Sequence, residues 1–391
     1  MPSIVALRVS SFFIRFLAIG VLAHVYVGVR LIVDAPIAPG VAWVAAFLLL
    51  LSCVLIPSGM LARSSGRQPM GDRLAWAGLL AMGFFSSLFV LTVLRDVVLL
   101  IAFLLSLASL PIPLSALRAQ SALLVPVLAL LGSLIGLFNA RRRAPVITVD
   151  VPVDNLPAVL EGFTIVQISD IHVGPTIKHG YVQAIVDAVN KAGGDMIAIT
   201  GDLVDGSVAH LTHHTRPLGD LRAPHGVYVV TGNHEYYSGA SAWVEEFRRI
   251  GLTVLMNEHV VIHPKGEPVV VAGITDYSAG AHDPNQRSNP QQAIVNAPPD
   301  ARVRLLLAHQ PRSAVAAAPL GFTLQMSGHT HGGQFLPWGF FVRLQQPFTA
   351  GLHRLEKMWV YTSRGTGYWG PPMRLGAPSE ITRIRLVRAA G

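Results

Sequence analysis

Five short polar blocks of this sequence carry side chains of the types that can bind divalent metal ions. Carboxylate, amide and imidazole groups are the ligands that manganese, iron and zinc accept in proteins. A carboxylate such as that of Asp202 can be shared by two ions, and paired ions assist hydrolytic reactions. The blocks are Asp170-Ile171-His172, Thr200-Gly201-Asp202, Gly232-Asn233-His234-Glu235, the isolated His309 and Gly328-His329-Thr330-His331.

Each block follows a short apolar run that is rich in β-branched residues. Such runs are typical of buried strands, and open α/β sheets gather their ligand sites at the carboxyl ends of strands. We therefore predict that five distant parts of the chain meet at the edge of a sheet. The runs cover residues 164–169, 196–200, 227–230, 304–308 and 323–327.

The candidate ligands supply little negative charge, because only Asp170 and Asp202 are carboxylates. Two divalent ions would need a further anion, and a metal-bound water loses its proton near neutral pH to provide one. The single cysteine, Cys53, lies in an apolar run, so zinc held by thiolates is excluded. Manganese is the favoured ion, with iron, zinc or magnesium as alternatives. The remaining candidate ligands are Asn233, His172, His309, His329 and His331.

The order of these motifs resembles that of the calcineurin-like metallophosphoesterases, over roughly residues 160–385, and in particular a membrane-anchored bacterial subgroup. The resemblance implies a β-sandwich of two mixed sheets flanked by helices. It also implies hydrolysis of phosphate esters or anhydrides through attack by a metal-bridging hydroxide. His234 would not bind metal but would contact the phosphate and protonate or stabilise the leaving oxygen. The implied ligand sets are Asp170, His172 and His331 for the first ion, Asn233, His309 and His329 for the second, and Asp202 for both.

Several neighbouring residues have predicted supporting roles. Glu235 stands where many family members have aspartate, and we expect it to support His234 without binding metal. Asp205 is expected to cap the next helix. Arg287 and Arg364 are candidate phosphate contacts, with a place on the exposed surface as the alternative.

Residues 1–143 have the composition of a membrane-spanning region. The whole chain is 51% hydrophobic and 13% charged, with a mean hydropathy of +0.49. Residues 1–143 hold 11 Arg, no Lys and 3 acidic residues, whereas residues 144–391 hold 19 basic and 19 acidic residues. Residues 144–391, whose charges balance, contain no cluster of basic residues that could bind the phosphate backbone of a nucleic acid. We therefore expect no nucleic-acid binding. We predict a transmembrane region over 1–143 and a hydrolase domain over 144–391.

The number of membrane spans depends on Arg95-Asp96, which separates two apolar runs without room for an ordinary loop. A tight turn there gives five spans, whereas four remain if one of the runs lies in the interface or re-enters the membrane. Arginines in the segment 60–73 and Arg141-Arg142-Arg143 are typical of cytoplasmic segments and favour four spans. The hydrolase domain would then face the cytoplasm, at a bacterial inner membrane. The apolar runs cover 10–32, 37–59, 74–94, 97–114 and 122–138.

The sequence thus predicts a membrane-anchored phosphoesterase and leaves two alternatives open. Some members of the resembled family cleave the pyrophosphate of UDP-2,3-diacylglucosamine in lipid A synthesis, so the substrate is a phosphate-containing small molecule or a lipid-linked one. The other alternative is a non-catalytic membrane sensor or scaffold that retains the fold. A degenerate domain should lack ligands, whereas all seven candidate positions here carry usable side chains.

Overall fold

The computed structural model describes residues 11–62 and 68–389, and the chain divides into two compact units at Ile135 and Gly136. The first unit is built from helices that are each long and apolar enough to cross a bilayer. The described residues contain four such helices, which agrees with the favoured number of spans. They are α1 (Ser11–Ile32), α2 (Pro39–Ala62), α3 (Met70–Leu107) and α4 (Leu114–Arg141).

The turn at Arg95-Asp96 that would have given five spans is absent, because both residues lie inside the continuous 38-residue helix α3. Ion pairs compensate these charges. A guanidinium nitrogen of Arg95 lies 2.5 Å from Asp34 Oδ2, and Arg30 Nε lies 2.8 Å from Asp96 Oδ2. Charged groups among apolar helices are costly unless they are paired, so the pairs allow the helix to continue.

Small residues allow α2 and α3 to pack closely. A Cβ atom added to Gly59 would lie 2.8 Å from the Cα atom of Gly78, so neither position has room for a side chain. Close backbone approach through glycine is typical of helix pairs in membranes. Arg63 and Arg67, which contribute to the predicted cytoplasmic orientation, lie outside the described residues.

The second unit contains two mixed six-stranded sheets, as predicted. Across the first sheet the order is β1 (Val146–Val153), β12 (Ile381–Arg388), β2 (Thr164–Ile168), β3 (Met196–Ile199), β4 (Val227–Val229) and β5 (Thr253–Val254). Across the second it is β10 (Gly351–Leu355), β11 (Met358–Thr362), β9 (Leu324–Ser327), β8 (Val303–Leu307), β7 (Val269–Gly273) and β6 (Glu258–Ile262).

Both sheets have parallel strands at their centres, which fixes where their loops emerge. Strands β2 to β5 pair in parallel, and so do β7, β8, β9 and β11. The carboxyl ends of such strands share one edge of a sheet. The helices of this unit are α5 (His179–Ala192), α6 (Val208–Thr215), α7 (Asn233–Ser238), α8 (Ala240–Arg249), α9 (Ala279–His282), α10 (Pro290–Ala293), α11 (Ala314–Ala317) and α12 (Gly339–Val342).

The central strands β2, β3, β7 and β9 are buried on both faces, which explains their continuous apolar runs. Ile165 of β2 belongs to the core between the sheets, together with Leu305 of β8. Val166 of β2 points the other way and packs with Trp243 of α8 on the outer face of the first sheet. Packing on both faces fixes the positions of the strand ends, and therefore the positions from which the following loops emerge.

Candidate metal centre

The five polar blocks follow the carboxyl ends of β2, β3, β4, β8 and β9, and their side chains converge on one place. Asp170 follows β2, Asp202 follows β3 and Asn233 begins the short helix after β4. His309 follows β8, and His329 comes after β9. Nearly all of the seven candidate ligands are buried, with His329 partly so.

A first group of ligand atoms comes from Asp170, His172 and His331, which lie within 4.8 Å of one another. His331 Nε2 lies 3.0 Å from His172 Nε2 and 3.5 Å from Asp170 Oδ1. Two imidazole nitrogens this close repel unless a proton or a cation lies between them. Burial, together with the charges of His172 and Arg374, holds the pKa of His331 well below its ordinary value. The neutral imidazole is the form that binds metal.

A second group surrounds His309 Nε2. This atom lies 3.1 Å from Asp202 Oδ2, 3.2 Å from Asn233 Oδ1 and 3.2 Å from His329 Nδ1. Burial alone would lower the pKa of His309, but the charge and hydrogen bond of Asp202 raise it well above its ordinary value. The raised pKa places a proton on His309 Nε2, among oxygen and nitrogen atoms that can all bind a metal ion. A cation would occupy the same position, so the residues fit a metal ion.

Asp202 faces both groups. Its Oδ2 atom lies 3.1 Å from His309 Nε2 and 3.9 Å from His172 Nε2. Its Oδ1 atom accepts a hydrogen bond of 2.8 Å from the backbone N–H of His234, which fixes the carboxylate plane. Burial would raise the pKa of Asp202, but the positive charges of His309 and His234 lower it overall. The carboxylate therefore stays ionised.

Five of the candidate ligands have a left-handed backbone conformation. Their φ angles are 55° at Asp170, 57° at His172, 54° at Asp202, 71° at His329 and 50° at His331. Positive φ is uncommon for residues other than glycine, and such conformations cost about 1–3 kcal/mol each and cluster at functional sites. The loops are thus shaped to aim side chains at a shared centre.

Gly328 lets two of these loops pass close together. A Cβ atom there would overlap Ser169 Oγ and the Asp170 carboxylate. The next residue, His329, donates its backbone N–H to both oxygens of Asp170 at 3.0 Å. The absence of a side chain at Gly328 therefore allows the Asp170 carboxylate to be positioned by the backbone.

His234 stands beside the ligand groups. Its Nδ1 lies 2.6 Å from Asp205 Oδ1, its Nε2 lies 4.0 Å from Asp202 Oδ2, and its side chain is 14% exposed. Burial would lower the pKa of His234, but the Asp202 charge and the Asp205 hydrogen bond raise it to about 9. A protonated imidazole at this position can donate to an incoming anion.

Asp205 has a role that the sequence did not indicate. Its Oδ1 accepts from His172 Nδ1 at 3.1 Å and from His234 Nδ1 at 2.6 Å. Both imidazoles are thereby oriented with their Nε2 atoms towards the ligand groups. The predicted helix cap is wrong, because Ser207 is the residue that precedes α6.

Glu235 supports the Asp202 loop, whereas we predicted support for His234. Its carboxylate accepts backbone N–H groups from Gly232 at 2.6 Å, Leu203 at 2.7 Å and Asp202 at 3.0 Å. The orientation of the His234 ring depends instead on Asp205. The glutamate therefore fixes backbone and contributes no ligand atom to either group.

A cavity of about 390 Å³ lies next to the second ligand group, lined by Asn233 and His329. Arg287, one of the two predicted phosphate contacts, lines it. The other, Arg364, pairs with Glu380 Oε2 at 2.7 Å. Arg312, which no sequence motif singled out, also lines the cavity and follows His309 by three residues.

Comparison with known proteins agrees with this geometry. The family model described as calcineurin-like phosphoesterase matches residues 163–333. A transmembrane protein with metallophosphoesterase domain from Danio rerio is 38% identical over 65% of this chain and 60% of its own length. A bovine protein of the same description is 39% identical over 70% of this chain and 64% of its own. This chain thus spans less than two thirds of the length of both vertebrate relatives.

An uncharacterized metallophosphoesterase from Aquifex aeolicus is 31% identical to this chain. The match covers 57% of this chain and 84% of the relative. It extends over most of a bacterial protein, whereas the vertebrate relatives contain further sequence. The chain therefore belongs to the calcineurin-like metallophosphoesterase family.

Proposed function

We propose that this protein is a membrane-anchored, metal-dependent phosphoesterase that hydrolyses phosphate esters or anhydrides. The observation that carries the proposal is the convergence of seven potential ligands into two groups that both face Asp202. Every position is filled by a side chain that can bind a divalent cation. The four apolar helices supply the membrane anchor. The cytoplasmic orientation of the second unit stays a prediction.

The ligand assignment follows from the two groups. Asp170, His172 and His331 would hold one ion, Asn233, His309 and His329 the other, and Asp202 both. Such ions neutralise phosphoryl oxygens and lower the pKa of water. The donors are oxygen and nitrogen atoms only, since the one cysteine lies in α2. Manganese suits this set and remains our first choice, ahead of iron, zinc and magnesium.

The other residues around the site bind and orient the substrate. We propose that His234 donates a hydrogen bond to the phosphoryl group and delivers a proton to the leaving oxygen. Asp205 holds its Nδ1–H, so Nε2 is the atom that faces the substrate. Trp369, whose ring centroid lies 5.7 Å from that of His234, closes one side of the imidazole. Gln334 fixes the Trp369 backbone through hydrogen bonds of 2.8 Å in both directions.

The proposal is tested on the full chain purified in detergent. We expect metal analysis to give about two divalent ions per chain, because the two proposed ligand sets hold one ion each and share Asp202. Hydrolysis of a bis-aryl phosphate should be lost after chelation and return on addition of Mn²⁺. A protein that retained two ions yet hydrolysed no ester or anhydride in a broad panel would support the sensor or scaffold alternative instead.

A second candidate, within the same chemistry, is hydrolysis of a lipid-linked diphosphate such as UDP-2,3-diacylglucosamine. The favouring observation is an apolar surface that follows the metal-binding block 328–331 along the chain. Phe340 is 64% exposed, Phe341 56% and Leu344 85%. Exposed apolar patches mark interaction sites, and aromatic and leucine side chains enter the boundary of a bilayer. In a chain with four bilayer-length helices, a lipid is the natural partner of this surface.

The double variant Phe340→Ser/Phe341→Ser tests this candidate. It removes apolar area worth about 1.5–3 kcal/mol per fully buried side chain, so we expect hydrolysis of a lipid-linked diphosphate in proteoliposomes to fall about tenfold or more. The loss should be much smaller for a water-soluble aryl phosphate. Val159→Ser, at a 41% exposed apolar residue elsewhere in the unit, is the matched control. Equal losses on both substrates would contradict a lipid contact at this surface.

A further inference from the structure

The cavity beside the second ligand group contains two arginines that the mechanism does not use. Its lining includes the candidate ligands Asn233 and His329 together with Arg287 and Arg312. An anion bound by these arginines would therefore lie next to a phosphoryl group at the metal centre. Each guanidinium offers several N–H donors in a planar arrangement that matches phosphate oxygens.

Arg312 is held in place without being neutralised. Its guanidinium carbon lies 4.8 Å from the centroid of the Tyr277 ring, a cation–π contact that leaves the edge N–H groups available. Its Nε atom is buried and has no hydrogen-bond partner within the described part of the chain. A buried donor without a partner is destabilising, so a ligand that supplied an acceptor would be favoured here.

The carboxylate of Asp276 accepts hydrogen bonds from Gln310, which lies two residues before Arg312, and from Ser278. It accepts Gln310 Nε2 at 3.0 and 3.1 Å and the backbone N–H of Ser278 at 2.8 Å. Gln310 Oε1 in turn accepts Gln346 Nε2 at 3.1 Å, and Gln346 Oε1 accepts the backbone N–H of Arg312 at 3.1 Å. This chain of hydrogen bonds positions the Arg312 backbone.

We propose that Arg312, with Arg287, forms a subsite for a second anionic group of the substrate, such as the neighbouring phosphate of a diphosphate diester. The inference rests on the proposed phosphoesterase function and narrows its substrate class. A phosphodiester with two neutral substituents leaves this subsite without a ligand. A diphosphate places one phosphoryl group at the metal centre and the other against Arg312. Hydrolysis then adds water across the P–O–P bridge and releases two phosphate monoesters.

The experiment compares Arg312→Ala, Arg312→Lys and Arg287→Ala with the parent full chain. We expect Arg312→Ala to lower kcat/KM for a nucleoside diphosphate sugar about 10- to 100-fold, the usual effect of losing a charge-assisted hydrogen bond. The loss should be at least tenfold smaller for a bis-aryl phosphate. Arg312→Lys should lie between, because lysine keeps the charge without the planar donors. Arg222→Ala removes an exposed arginine elsewhere and is the matched control.

A binding measurement separates this inference from the proposed function. Inorganic pyrophosphate should bind Arg312→Ala at least tenfold more weakly than the parent, with a smaller change for inorganic phosphate. That outcome would support the subsite even if no substrate were turned over, whereas absent turnover in the metal-loaded parent would count against the phosphoesterase. Equal losses on both substrates, or unchanged pyrophosphate binding, would overturn the subsite.

Discussion

Replacing Asp202 with asparagine is expected to remove metal and activity together. Its Oδ2 atom faces both ligand groups, and Asp170 is the only other carboxylate among the seven candidate ligands. The neutral amide leaves two divalent ions with one negative protein ligand, and it cannot serve both groups equally. Because bound metal ions contribute several kcal/mol to such reactions, we expect kcat/KM to fall more than about 10³-fold. Metal content by mass spectrometry and bis-aryl phosphate hydrolysis are the measurements.

A matched substitution distinguishes loss of a ligand from loss of any carboxylate. Asp150→Asn on β1 removes an exposed carboxylate that pairs with Arg385 at 2.6 Å, and it should retain metal and turnover. Thermal unfolding of both variants shows whether the fold survives. If Asp202→Asn bound two ions and turned over at the parent rate, the proposal that Asp202 binds both ions would be wrong.

The variant His234→Ala is expected to keep its metal ions and lose turnover. His234 contributes its backbone N–H to Asp202, which alanine preserves, and its side chain belongs to neither proposed ligand set. General acid assistance is typically worth about 10²–10⁴-fold, so kcat should fall within that range. The fall should be larger for alkyl esters than for aryl esters, because a phenolate leaves without full protonation. Parallel assays on both ester classes with metal analysis provide the test.

The control for His234 is an exposed histidine outside the site, and His263→Ala serves because that residue is exposed in a distant loop. It should change neither metal content nor rate. Parent-level hydrolysis of aryl and alkyl phosphates by His234→Ala would show that this imidazole has no part in the reaction. A loss of metal in that variant would instead make it a ligand.

Much of this protein is determined by its sequence alone. The apolar runs that end in Asp, Asn or His predicted the strands β2, β3, β4, β8 and β9, because residues buried on both faces must be apolar and the polar residue marks the strand end. The length of the helical runs likewise predicted the membrane anchor, since a bilayer fixes the number of apolar residues a span needs. Both patterns are local, so they can be recognised in the sequence without knowledge of the tertiary contacts.

Features that depend on contacts between residues far apart in the sequence became visible only in the tertiary structure. Helix α3 continues through Arg95 because that residue pairs with Asp34, 61 positions away. Asp205 orients His172 and His234, 33 and 29 positions away, and Arg312 is aligned through Gln346. The positive φ angles of the ligand loops are likewise imposed by surrounding structure that offsets their local cost. Local patterns set which segments form strands and helices, whereas packing alone sets which charges meet.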